Sequence, residues 1–148
     1  YNAPVNYLKD LFEKCGYTVA SITGETSNAR NIEQRFQQNE IRVLICNQKA
    51  AAEGFNFHRT NEWPGGASQA IHLDKWWNPA INEQAQDRIW RVGSIVPVTI
   101  HEIKLVDTVD EIIFGICEDK ELWSTTLMEN PELRPAAHWK QKLKDMWK

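Results

Sequence analysis

The run "RVLIC", residues 42–46, leads directly into "NQKAAAEGFNF", residues 47–57. A strand with one wet face alternates apolar and polar residues. Val43, Leu44, Ile45 and Cys46 instead form an unbroken apolar run of strand length, as expected for a strand covered on both faces. Coverage on both faces points to a parallel sheet between helices.

Outward from that strand the segments alternate in kind. Leu8, Leu11, Phe12 and Cys15 recur at helical spacing and Gly16 follows where a helix-ending glycine belongs, which predicts a helix over 4–15. "YTVASI", 17–22, is a short run of β-formers, "GETSN", 24–28, offers turn and N-cap chemistry, and Ile32 with Phe36 marks a second helix. On the other side, "QAIHL" at 69–73 and "VTIHEIKLV" at 98–106 read as strands, with helices over 80–92 and from about Val109 to Lys120. Strands alternating with helices imply βαβ units and an α/β fold. Ligands in such sheets bind beyond the carboxyl ends of the strands, so 47–57 and 74–79 are the loops to watch. Residues 58–68, "HRTNEWPGGAS", form a loop punctuated by Pro64, Gly65 and Gly66, to which no function attaches.

With 148 residues, 42% of them hydrophobic and 25% charged, the chain is one domain's worth and can bury a core. No apolar run approaches the roughly 20 residues that span a bilayer, and "YNAPVNYLKD" lacks the pattern of a signal peptide, so neither membrane nor export is expected. A net charge of −3 excludes coating nucleic acid by bulk electrostatics, so any DNA contact has to be local. Cys15, Cys46 and Cys117 are widely spaced and odd in number, which fits reduced, buried thiols in a cytosol-like compartment. Neither they nor the four histidines have metal-ligand spacing, and no metal site or catalytic histidine is expected.

"NEQAQDRIWRVG", 82–93, collects Gln84, Asp87, Arg88 and Arg91 behind an Asn78 N-cap and a Pro79 suited to a first helical turn. On one continuous helix these four would share an arc of about 100°, beside an apolar stripe of Ile81, Ala85, Ile89 and Val92. By itself this is compatible with an ordinary surface helix carrying i,i+4 pairs worth a few tenths of a kcal/mol.

Taken in order, "NQKAAAEGFNF", "DKWWNP" (74–79), "QAQDRIWRVG" (84–93) and "TVDEII" (108–113) resemble the second RecA-like domain of superfamily 2 helicases, in the Swi/Snf-type branch of DNA translocases. The resemblance implies a RecA-like parallel sheet with flanking helices over 1–120, lacking its first strand, and a C-terminal extension at 121–148. In that extension Trp139, Leu143, Met146 and Trp147 suit an amphipathic helix. It implies that Arg88 and Arg91 are catalytic, pointing across a cleft at the leaving γ-phosphate, with Arg91 as the finger. Gln84 would lie at the same edge and Asp87 would orient a guanidinium. Gly54 would permit close backbone approach and Asn56 would sit near the ribose, so Gly54, Asn56, Gln84 and Asp87 form the expected nucleotide-binding set. Gln48 and Lys49 would meet a DNA backbone. Trp76 and Trp77 invite base stacking, with cleft-wall packing as the plainer role. The branch usually has two glycines where Ala51 and Ala52 stand, a departure tolerated elsewhere in the superfamily.

The sequence has no Gly-x-x-x-x-Gly-Lys-Ser/Thr loop and no Asp-Glu pair after a strand. The resemblance assigns both to an upstream N-terminal RecA-like lobe, which would hold ATP with Mg2+. The 148 residues are therefore expected to be inactive alone. The expected role is the C-terminal motor lobe of an ATP-dependent translocase or helicase on double-stranded DNA. Two alternatives remain: a non-catalytic RecA-like module binding DNA or protein, and the motor of a restriction or phage genome-processing system. The expected location is the cytoplasm of a bacterium or phage host, or the nucleus in a eukaryote.

Overall fold

Residues 2–51 and 54–129 are described by a computed structural model. The chain runs through α1 (Asn2–Lys14), β1 (Val19–Ile22), α2 (Ala29–Gln37), β2 (Val43–Cys46), α3 (Gln48–Ala51), β3 (Gln69–His72), α4 (Pro79–Gln86), β4 (Thr99–Glu102) and α5 (Val109–Glu129). The expected alternation is present and the fold is α/β. β1 and β2 pair in parallel, with Val19 opposite Val43 and Ile22 opposite Cys46. β3 pairs with β4. Around that pair Ser68 O accepts from Thr99 N, and His72 O from Ile103 N, so both segments advance the same way, as parallel strands do. The expected amphipathic helix of Trp139, Leu143, Met146 and Trp147 lies outside the described residues, as does Ala52.

The C-termini of α1 and α2 and the starts of α4 and α5 follow the capping chemistry of the sequence, whereas Asn28 ahead of α2 makes no side-chain cap bond, contrary to expectation. Gly16 at φ +84° closes α1, with Tyr17 N donating to Phe12 O and Gly16 N to Glu13 O. The Phe12 and Tyr17 rings meet edge-on at 6.2 Å, the apolar contact that accompanies this closure. α2 ends the same way with Asn39 in the left-handed region, Glu40 N bonding Arg35 O and Asn39 N bonding Phe36 O. Asn78 Oδ1 accepts Ala80 N at 3.2 Å and so caps α4 ahead of Pro79. Thr108 Oγ1 accepts Asp110 N at 3.2 Å and caps α5.

Two compact units are present, one of residues up to Ala70 with Ile81–His101, the other of Ile71–Ala80 with the described residues from Glu102 on. The first unit's core joins Ile22, Ile32, Phe36, Ile41, Ala50, Phe55, Phe57 and Ala85. Each large apolar side chain there contributes about 1.5–3 kcal/mol by leaving water. In the second unit, Ile112, Phe114, Ile116 and Cys117 of α5 are buried. Lys75 bonds Glu102 at 2.9 Å and lies 4.5 Å from the Phe114 ring centroid.

Three expectations are corrected. The helix over 80–92 stops at Gln86: Arg88 N and Ile89 N turn to the tighter acceptors Ala85 O and Gln86 O, and Arg88 O accepts Phe57 N at 2.7 Å from outside the helix. Gln84, Asp87, Arg88 and Arg91 therefore do not share one helical face. The strand over 98–106 stops at Glu102, and Asp107 at φ +61° turns the chain into α5. On α1 the side chain facing inward is Val5, with Leu8 and Phe12 half-buried, while Leu11 and Cys15 are exposed.

Candidate functional site

Asn56 lies at the centre of a hydrogen-bonded clamp in the first unit. Its N–H donates to Glu33 Oε1 at 2.6 Å, and its carbonyl accepts from Gln37 Nε2 at 2.9 Å. Glu33 and Gln37 stand one turn apart on α2 and are both buried, so they fix the loop backbone from one helix face. Arg30 on the same helix bonds Glu33 Oε2 at 2.8 Å and Gly54 O at 3.1 Å, and its guanidinium lies 4.7 Å from the Phe55 ring centroid. Gly54 sits at φ +72°, so backbone conformation accounts for glycine there. A Cβ at that position would meet only Arg30 Nη2 at an ordinary 3.7 Å among the described residues.

The clamp leaves the Asn56 side chain free to face outward, where Oδ1 accepts from Arg91 Nη1 at 2.5 Å. Arg91 lies on a turn: Ser94 N bonds Arg91 O at 2.9 Å, Arg91 N bonds Ser94 Oγ at 3.2 Å, and Gly93 takes φ +99°. The bond between Arg88 O and Phe57 N ties the same two segments together three residues earlier. Arg88 is half-buried and Arg91 exposed, so the Arg91 guanidinium is the one open to solvent. Two stretches singled out in the sequence, 47–57 and 84–93, thus meet at Asn56 and Arg91.

The loop 58–68 braces this junction. Arg59 O accepts Ile95 N at 3.1 Å, Ala67 N bonds Phe57 O at 2.7 Å, and Gly65 N bonds Gln37 O at 2.7 Å. His58 is buried beneath Trp63, their rings edge-on with centroids 5.4 Å apart. Its Nδ1 has no hydrogen-bond partner among the described residues. Burial, and then the nearby Arg91 charge, hold its imidazole below the ordinary 6.5.

The other expected site residues lie apart from this bond. Gln48 opens α3 at the carboxyl end of β2 and is half-buried; Lys49 beside it is exposed. Gln84 is exposed on α4 and Asp87 exposed just beyond it. In the second unit Trp76 and Trp77 keep about half of their surface open, at 42% and 47%. Their carbonyls accept from Cys117 Sγ at 3.3 Å and Lys120 Nζ at 2.6 Å, so α5 holds that loop by its backbone. Burial pushes the Cys46 thiol up to about 12, against a hydrogen bond with Ile22. Among the described residues no group of histidine, cysteine and carboxylate side chains could hold a metal ion, and no helix is long and apolar enough to cross a membrane. Arg30, Glu33 and Gln37 escaped the sequence reading. Their signal is weak: polar residues beside the apolar Ile32 and Phe36.

Residues 2–93, which contain the whole junction, match the family described as helicase conserved C-terminal domain. The chain belongs to that family. Transcription termination factor 2 of Drosophila melanogaster is 34% identical over 126 residues, covering 82% of this chain and 11% of the relative. YwqA of Bacillus subtilis, which carries the name of an ATP-dependent helicase/translocase, is 31% identical over 128 residues, covering 84% and 13%. The DNA repair and recombination protein RAD54B of Homo sapiens is 30% identical over 118 residues, covering 77% and 12%. Among solved structures, the C-terminal part of the Fun30 ATPase domain aligns with a TM-score of 0.67 at 25% identity, over 79% of this chain and 37% of that one. The chain is thus a helicase C-terminal domain of the Swi/Snf type with a RecA-like fold, and it spans about an eighth of these curated relatives.

Proposed function

We propose that this domain is the C-terminal motor lobe of an ATP-dependent translocase or helicase acting on double-stranded DNA. The observation that carries the reading is the bond between Arg91 and Asn56, which presents a solvent-facing guanidinium on a braced turn. Phosphoryl transfer needs positive charge placed against the departing γ-phosphate, and a guanidinium from a second lobe supplies it only when two lobes close. Arg91 is the proposed finger and Arg88, half-buried behind it, its companion. Gly54, Asn56, Gln84 and Asp87 make up the nucleotide-facing edge of this lobe. Gln48 and Lys49, beyond the carboxyl end of β2, would contact the DNA backbone.

An N-terminal RecA-like lobe would hold ATP and Mg2+, because the sequence here contains no phosphate-cradling Gly-x-x-x-x-Gly-Lys-Ser/Thr loop. The Mg2+ held by that lobe would supply charge neutralisation, and Arg91 of this lobe would add positive charge from the opposite side of the cleft. Closure and reopening of the two lobes would couple hydrolysis to movement along the duplex.

The test is ATP hydrolysis by the complete protein with and without double-stranded DNA, for wild type and Arg91→Ala side by side. DNA-stimulated turnover that falls by about 10³-fold in the variant, with a small change in KM for ATP, is the expected result. Near-normal turnover in Arg91→Ala would remove the finger assignment. No turnover in either protein would leave a module that binds DNA or protein without catalysis.

A further inference from the structure

On the first unit a groove of about 370 Å³ lies between α4 with its following turn and the chain entering β4. It is lined by Glu83, Gln86, Asp87, Trp90, Val98 and Ile100. We infer that this groove docks a segment of another protein that carries a lysine or arginine among apolar residues, the basic side chain lying along Trp90 with its charged head between Glu83 and Asp87. The inference goes beyond the motor reading and does not depend on Arg91.

Charge and apolar surface are both left open here. Glu83 and Asp87 stand one helical turn apart and are exposed, and among the described residues neither carboxylate has an ion pair or a side-chain hydrogen bond. Like charges at this spacing repel, and no Lys or Arg in the lining offsets them. Trp90 beside them is 67% exposed. Val98 and Ile100, two apart and so on one face of the extended chain, are half-buried. A cation brought between the carboxylates removes their repulsion, and an apolar stem laid on the indole takes its surface out of water. A lysine or arginine does both with one side chain. An apolar neighbour on the same segment covers Val98 and Ile100, which a bare amine would leave open.

The walls are ordered before anything binds. Asp87 N donates to Glu83 O and Trp90 N to Gln86 O, both at 2.9 Å, so Glu83, Gln86, Asp87 and Trp90 come round to one side of the chain. Opposite them Thr99 N donates to Ser68 O at 3.0 Å, which fixes the backbone between Val98 and Ile100. A wall already in place lowers the ordering cost of association. The volume sits at the lower end of the range for small-ligand sites, about 300–1,000 Å³, and so admits the side chains of a segment and leaves the rest of its protein outside. Two carboxylates without a cation would repel a phosphate backbone, which argues against nucleic acid as the occupant.

The probe is a short fluorescein-labelled peptide of repeating leucine-lysine pairs, titrated with the complete protein by fluorescence anisotropy. Binding should weaken about tenfold in Trp90→Ala and about threefold in Glu83→Gln. It should also weaken about tenfold as salt rises from about 0.05 to about 0.3 M, because exposed charges are screened. Trp90→Phe keeps an aromatic face and should stay within about threefold of wild type. The same peptide with glutamate in place of lysine, or with serine in place of leucine, should bind at least about tenfold more weakly. An affinity unchanged in Glu83→Gln overturns the inference, even if Trp90→Ala fails to fold. No binding to the complete protein overturns it too, and gives the groove to another part of that protein. Equal binding of the glutamate peptide leaves a plain apolar contact and rejects the charge pair. Spermidine that displaces the peptide at a matched concentration of charge rejects a protein segment in favour of a free amine.

Discussion

Arg91 is exposed, and an exposed arginine ordinarily samples many rotamers; here one acceptor, Asn56 Oδ1, limits that freedom. Asn56 can serve because its own backbone is held at both polar groups, the N–H by Glu33 and the carbonyl by Gln37. The expectation that Asp87 orients a guanidinium thus has a counterpart in a neutral amide. A neutral acceptor fixes direction without cancelling the charge that a phosphate would meet. Asn56→Ala removes that acceptor and keeps both backbone bonds, so it should lower kcat of the complete protein by up to about 10²-fold while its melting temperature barely moves. Wild-type kcat in this variant would mean that the bond has no part in placing Arg91. Arg91 and Asn56 were legible because each sits in a motif of recognisable spacing. Glu33 and Gln37 were not, because no local pattern tells which face of α2 meets a loop some twenty residues away.

The elements were legible where packing and capping agree with local pattern: Gly16, Asn78 and Pro79 all mark helix ends as their chemistry predicts. α4 was misjudged because its apolar stripe continues through Ile89 and Val92, and periodicity carries no information about a bond from outside the helix such as that of Phe57 N to Arg88 O. Val92 is 99% exposed, so the stripe's last member packs against nothing described. The loop 58–68 was legible as a loop and silent about its role, which rests on two glycines used differently from the others. A Cβ on Gly65 would lie 2.1 Å from Phe36 O, 2.5 Å from Asn39 N and 2.6 Å from Gln37 O, all backbone atoms at the end of α2. Gly93 has open space around it and only its φ of +99° to defend. Gly65→Ala should therefore destabilise the domain by about 3 kcal/mol or more, and Gly93→Ala by about 1 kcal/mol. Equal losses for the two in denaturant titrations would show that the loop does not bear on α2.

At the scale of the whole molecule, each compact unit buries one histidine among the described residues, His58 in the first and His72 in the second. His58 in the first is held below 6.5 by burial and then by the Arg91 charge. His72 in the second is lowered chiefly by burial and further by Lys75, against the opposing pull of Glu102 and Asp74. Both folded-state values lie below the unfolded value, so the unfolded chain takes up protons first as the pH falls. Their stabilisation is complete above about pH 6.5 and is lost as the pH drops from there through the folded-state values. Thermal unfolding of the 148-residue chain should show a melting temperature that declines between pH 7.5 and 5.5. His58→Gln and His72→Gln should each flatten part of that decline, and the double variant most of it, because a glutamine amide does not titrate. A double variant whose melting temperature falls as steeply as wild type would assign the acid sensitivity to other groups. A steep decline carried by His72 alone would mean that His58 takes up protons on the folded protein as readily as on the unfolded chain.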